Sequence, residues 1–136
     1  MKLFIEKDYD AASNRTAELV VGAVKSKPDL VFCLPAGGSP IGMYKVLVDM
    51  YKHGEVSFKE MITFDMDEYV GISADNENSY AYFMQKHFLK FVDVRSENVF
   101  YPDGMATDLE EMCKSYSESI ASKGGLDLAI TGIGSN

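Results

Sequence analysis

The chain has 136 residues, 46% of them hydrophobic and 25% charged, with a formal net charge of −8. That length and balance describe one globular domain able to bury its own core, and they exclude collagen-like, low-complexity and disordered chains. Its 13 Lys and Arg stand singly against 21 Asp and Glu, which argues against nucleic acid and against an anionic membrane as partners.

Residues 1–6 read as a short first strand. They turn charged before a signal-peptide core can form, and no apolar run nears the ~20 residues that span a bilayer, so a cytoplasmic location is expected. Asp10 is placed to cap a helix running to about Lys25, with Ala12, Thr16, Leu19, Val20 and Ala23 at helical spacing. The apolar run 29–34 predicts a strand buried on both faces. Pro35-Ala36-Gly37-Gly38-Ser39 is a tight loop. Ser39 then reads as an N-cap with Pro40 as the first helical residue, and the helix stops before Gly54.

Residues 61–64 predict the next strand, and 65–78 a polar, irregular stretch. Ser79 opens a helix carrying Phe83, Met84, His87, Phe88 and Phe91 on one side, where His87 reads as a core or subunit-contact residue. A short strand follows at 98–101. Asp108-Leu109-Glu110-Glu111 is a capping box, and Gly124-Gly125 ends its helix. Residues 126–131 read as a further buried strand. Cys33 and Cys113 lack metal-ligand spacing and read as reduced, mostly buried thiols.

Strands alternate with helices throughout. This predicts an α/β fold: three layers, with a mostly parallel Rossmann-like sheet and helices on both faces. Residues 1–136 read as the N-terminal part of a single domain. The sequence runs into Gly132-Ile133-Gly134 straight after a strand, with no helix to follow, so truncation before a C-terminal half is expected.

Ligands of such sheets sit beyond the carboxyl ends of the strands, which here means loops 35–39, 65–70 and 132–136. The two glycines of the first loop allow amides to approach an anion, beside a helix start that supplies orphan N–H groups. The other reading is a plain strand–helix turn. No Lys or Arg lies between Pro28 and Tyr44, so a bound phosphate needs a cation from elsewhere. Asp65, Asp67 and Glu68 place three carboxylates in four residues. Crowding of this kind raises a proton affinity and suits a general base. A Mg²⁺ site and a solvated acidic loop with Glu68 capping some neighbouring group are the alternatives.

Leu34-Pro35-Ala36-Gly37-Gly38-Ser39-Pro40, Phe64-Asp65-Met66-Asp67-Glu68-Tyr69-Val70-Gly71, Asn78-Ser79-Tyr80 and Gly132-Ile133-Gly134-Ser135-Asn136 resemble, in order and spacing, the glucosamine-6-phosphate deaminases. The resemblance covers the whole chain as the N-terminal half of such an enzyme. It implies conversion of glucosamine 6-phosphate and water to fructose 6-phosphate and ammonia, with no metal or redox cofactor. Asp67 is then the base moving a proton between C2 and C1. Gly37, Gly38 and Ser39 hold the phosphate, while Ala36, Tyr80 and the Gly132 backbone contact the substrate. Asn136 stands where some members carry an aspartate that assists the ring-opening histidine, and an amide can only orient that histidine. The family's next stretch, Gly-His-Ile-x-Phe-Asn-Glu, lies beyond Asn136, so the piece alone is expected to be inactive. The implied partner is a small phosphorylated amino sugar, with no nucleic acid and no membrane, and a homo-oligomer is compatible with the reading. The alternatives are a 6-phosphogluconolactonase-like hydrolase and a non-enzymatic sugar-phosphate sensor.

Overall fold

The computed structural model describes residues 2–132. Its strands are β1 (Val31–Leu34), β2 (Ile62–Asp65), β3 (Val99–Phe100) and β4 (Leu128–Ala129), and its helices are α1 (Tyr9–Ser26), α2 (Ile41–Lys52), α3 (Tyr80–His87) and α4 (Leu109–Ser122). The strands pair in parallel in the order β3-β2-β1-β4. The chain therefore steps outward from β1 to β3 and then returns to the other side of β1. Such a reversal opens a crevice at the carboxyl ends of the two strands that flank it.

The core lies between the sheet and the α1–α2 layer. Ala17, Val20 and Val24 of α1 and Met43, Tyr44 and Leu47 of α2 close over Phe32 and Leu34 of β1. Side chains alternate along a strand, so the opposite face receives Phe64, which stacks on Phe100 at 4.7 Å and meets the Tyr116 ring of α4 edge-on at 5.6 Å. Helices on both faces of a parallel sheet confirm the predicted fold class.

Several local expectations are corrected. The first strand is absent: residues 2–6 pair with no described strand, and Leu3 and Ile5 are 76% and 86% exposed. Apolar β-formers without a partner strand have no ladder to join. The cap of α1 is Asp8, which accepts from the Ala11 amide at 2.8 Å, and Asp10 lies inside the first turn. The buried face of α1 is Ser13, Ala17, Val20, Val21 and Val24, whereas Leu19 is exposed. Close approach to α2 selects this face. A Cβ at Gly42 would strike the Ser13 hydroxyl and the Tyr9 ring, so small residues must line the contact.

Helix α3 ends at His87, whose ring lies 4.4 Å from that of Phe83, and Phe91 passes into a short 3₁₀ turn where it is exposed. Strand β4 is only two residues long and Ala129 is exposed, because β4 is an outer strand among the described residues. Cys33 is buried, but Cys113 is exposed on α4. No helix among the described residues is long and apolar enough to cross a membrane.

Candidate active site

The loop after β1 is held from several sides. The Tyr44 hydroxyl, buried in α2, donates to the Pro35 carbonyl at 2.7 Å. Gly37 turns the chain at φ +105°, a left-handed value that favours glycine. The expected Ser39 cap is corrected. The cap position of α2 is Pro40, already at helical φ −79° and ψ −7°, and no side chain of the loop caps the helix. Proline's fixed φ lets the helical path begin at residue 40, which releases the Ser39 hydroxyl from capping. The Gly42 amide is met from outside, by the Tyr9 hydroxyl at 2.8 Å.

The three carboxyls after β2 have three different environments. Asp65 closes the strand at 2% exposure, and neither of its oxygens has a hydrogen-bond partner among the described residues. Burial first, then the charges of Glu68 and Asp67, push its proton affinity well up. Asp67, two residues on, is exposed, and partial desolvation followed by the Glu68 charge raises its pKa. Glu68 is committed to α3. Its oxygens accept from the Ser79 hydroxyl at 2.6 Å and from the Tyr80, Ala81 and Tyr69 amides at 3.0, 3.1 and 2.9 Å. Burial works against its charge, but these four donors outweigh it and hold the pKa below the usual value.

The Tyr69 and Tyr80 hydroxyls share a hydrogen bond at 2.9 Å, which, with burial, moves Tyr80 up to about 12. A bond from the Gly71 amide to the Gly104 carbonyl at 2.7 Å ties the far end of this loop down. Among the described residues no group of three His, Cys, Asp or Glu side chains is placed to hold a metal ion.

One cavity of about 770 Å³ joins the loops. Ala36, Gly37, Gly38 and Ser39 form one wall, Asp67 and Tyr80 another, and Thr131 and Gly132 after β4 a third. The crevice lies where the sheet order reverses, between the ends of β1 and β4. Asn136 lies outside the described residues. None of the described residues lining the cavity is a Lys or Arg, so the groups there that can favour an anion are backbone amides and the start of α2. Such a surface can hold an anion through N–H groups while a carboxylate faces it across the gap. Sequence reasoning missed Tyr9, which also lines the cavity, because a tyrosine at a helix start carries no pattern. It also missed that Asp65 is sealed off, since burial of a strand-end carboxyl depends on α2.

Comparison with known proteins accords with this geometry. Residues 6–136 match the family model for glucosamine-6-phosphate isomerases/6-phosphogluconolactonase. The whole chain is 47% identical to 54% of a glucosamine-6-phosphate deaminase of Thermoanaerobacter sp. (strain X514), and 44% identical to 56% of one from Halothermothrix orenii. The chain thus spans about half the length of the curated relatives it matches. A solved monomeric glucosamine-6-phosphate deaminase superposes over 98% of the chain and 56% of its own, with a TM-score of 0.96 at 35% identity. A 6-phosphogluconolactonase from Thermotoga maritima, at 22% identity and a TM-score of 0.79, shares the fold. On the extent of these matches, the chain belongs to the glucosamine-6-phosphate isomerase/6-phosphogluconolactonase family.

Proposed function

We propose that the chain is the N-terminal part of a cytoplasmic amino-sugar-phosphate deaminase, which converts glucosamine 6-phosphate and water to fructose 6-phosphate and ammonia. One observation carries the reading: Asp67 and the glycine loop line the same cavity. The phosphate lies on the amides of Gly37, Gly38 and Ser39 with the Ser39 hydroxyl donating. The carbon chain then extends toward Asp67, and Gly132 and Tyr80 border the sugar. Asp67 removes the proton from C2 and returns it to C1, which turns the ring-opened amino aldose into its C2 imine; water then adds at C2 and ammonia leaves, giving the ketose. A carboxylate raised above its ordinary range by desolvation and by Glu68 is a better acceptor for that proton.

The deaminase names of the relatives, at 44% and 47% identity, support this reading over the lactonase alternative. The test is ammonia release by the full-length protein from glucosamine 6-phosphate, beside a panel of other amino-sugar phosphates and 6-phosphogluconolactone. Release from glucosamine 6-phosphate is the expected result. Turnover of the lactone alone sinks the proposal.

A further inference from the structure

We infer that Tyr9 is a positioning residue, supplying from α1 the cap that α2 lacks and so fixing the glycine loop in its anion-binding form; this rests on the function proposed above. A single hydroxyl touches three backbone groups. It accepts from the Gly42 amide at 2.8 Å, and its one proton is shared between the carbonyls of Ser39 at 2.9 Å and Gly38 at 3.2 Å. Gly42 is the second residue of α2, where an N–H has no partner within the helix.

The carbonyl contacts set direction. In a trans peptide the C=O and N–H of one unit point opposite ways. Drawing the Gly38 carbonyl toward the phenol aims the Ser39 amide away from it. The same carbonyl accepts from the Ile41 amide at 3.4 Å, which closes the turn. A Gly-Gly segment is otherwise free to flip its peptide units.

The packing agrees independently. The phenol reaches Gly42 only because that residue has no Cβ, since one built there would meet both the Tyr9 ring and Ser13. Tyr9 and Ser13 also line the cavity that holds the loop. The Gly42 amide is therefore already occupied, and the anion is left to the loop amides, of which Tyr9 orients that of Ser39. The residue acts through the loop and takes no part in proton transfer.

The test compares wild type with Tyr9→Phe in the full-length protein. Calorimetry follows inorganic phosphate and glucosamine 6-phosphate, and hydrogen exchange follows the Gly42 amide. Both Kd values rise about fivefold, as loss of one ordinary hydrogen bond implies. KM rises more than kcat falls, and exchange at Gly42 accelerates. Gly42→Ala, which displaces the phenol but keeps its hydroxyl, weakens phosphate in the same direction. Unchanged phosphate affinity, or unchanged exchange at Gly42, overturns the inference. So does tighter binding, which marks the phenol as a placeholder that the anion expels. A wild type that binds phosphate yet releases no ammonia sinks the deaminase reading and leaves the Tyr9 comparison intact. A wild type that binds neither anion sinks both.

Discussion

The loops after β1 and β2 border the same cavity, but they are built on opposite principles. Residues 35–40 carry no ionisable side chain and work through backbone, with Tyr44 and Tyr9 bracing them. Residues 65–69 carry three carboxyls in sharply different surroundings: Asp65 buried, Asp67 open, Glu68 bound by four donors. A site for a charged tail needs fixed dipoles that do not titrate. A site for proton movement needs one group that does. In the proposed reading one cavity provides both.

The sharpest way to break this division is Asp67→Asn, which keeps the shape and removes the base. Ammonia release is expected to fall by roughly 10²-fold or more, with the thermal midpoint unmoved. Full activity would remove Asp67 from its role. Glu68→Gln comes next. It loses charge-assisted bonds at the head of α3, and urea unfolding should record a loss of about 2 kcal/mol. It also removes a negative charge that raises the Asp67 pKa. Asp67 then ionises at lower pH, so the acid limb of the kcat/KM profile moves down. A limb that moves up would contradict the assignment.

Asp65→Asn tests the buried member. Its folded pKa is raised, so the native state favours its proton. Whatever stability that preference gives is intact below the unfolded carboxylate pKa and disappears as pH climbs through the folded value. The neutral variant should therefore gain on wild type as pH rises above the unfolded carboxylate pKa, read as a growing difference in unfolding midpoint. A constant difference would mean that Asp65 is not the group titrating. The smallest effect is expected from Lys27→Met. Its exposed pair with Asp127 spans 2.6 Å, and exposed pairs contribute little to stability, so the unfolding midpoint should hardly move. Asp127→Ala should cost more, because Asp127 also accepts from the Val31 amide at 2.8 Å.

The order of elements, the parallel sheet and the clustering of loops 35–39 and 65–70 with Gly132 were legible in the sequence. Alternating strands and helices, glycine spacing and strand-end carboxyls are local signals, and the sheet's topology carries them to one edge. What escaped depends on partners distant in the chain. Leu3 and Ile5 have strand propensity but no neighbouring strand among the described residues. The face of α1 is chosen by Gly42, about thirty residues away. The Ser39 cap fails because Pro40 starts the helical path and Tyr9 supplies the missing bond. Glu68 capping some group was one of the readings open from sequence, and its bonds from the Tyr80 and Ala81 amides identify that group as the head of α3.

The return of the chain to the far side of β1 also governs when a binding site can exist during folding. Thr131 and Gly132 reach the crevice only after β4 has docked, and that docking is fastened by Asp127 onto Val31 and Lys27, 96 and 100 positions earlier. Closing so long a span is a late event compared with forming the neighbouring β1–β2 pair. A nascent chain still short of Asp127 therefore has the loops after β1 and β2 but not the third wall of the cavity.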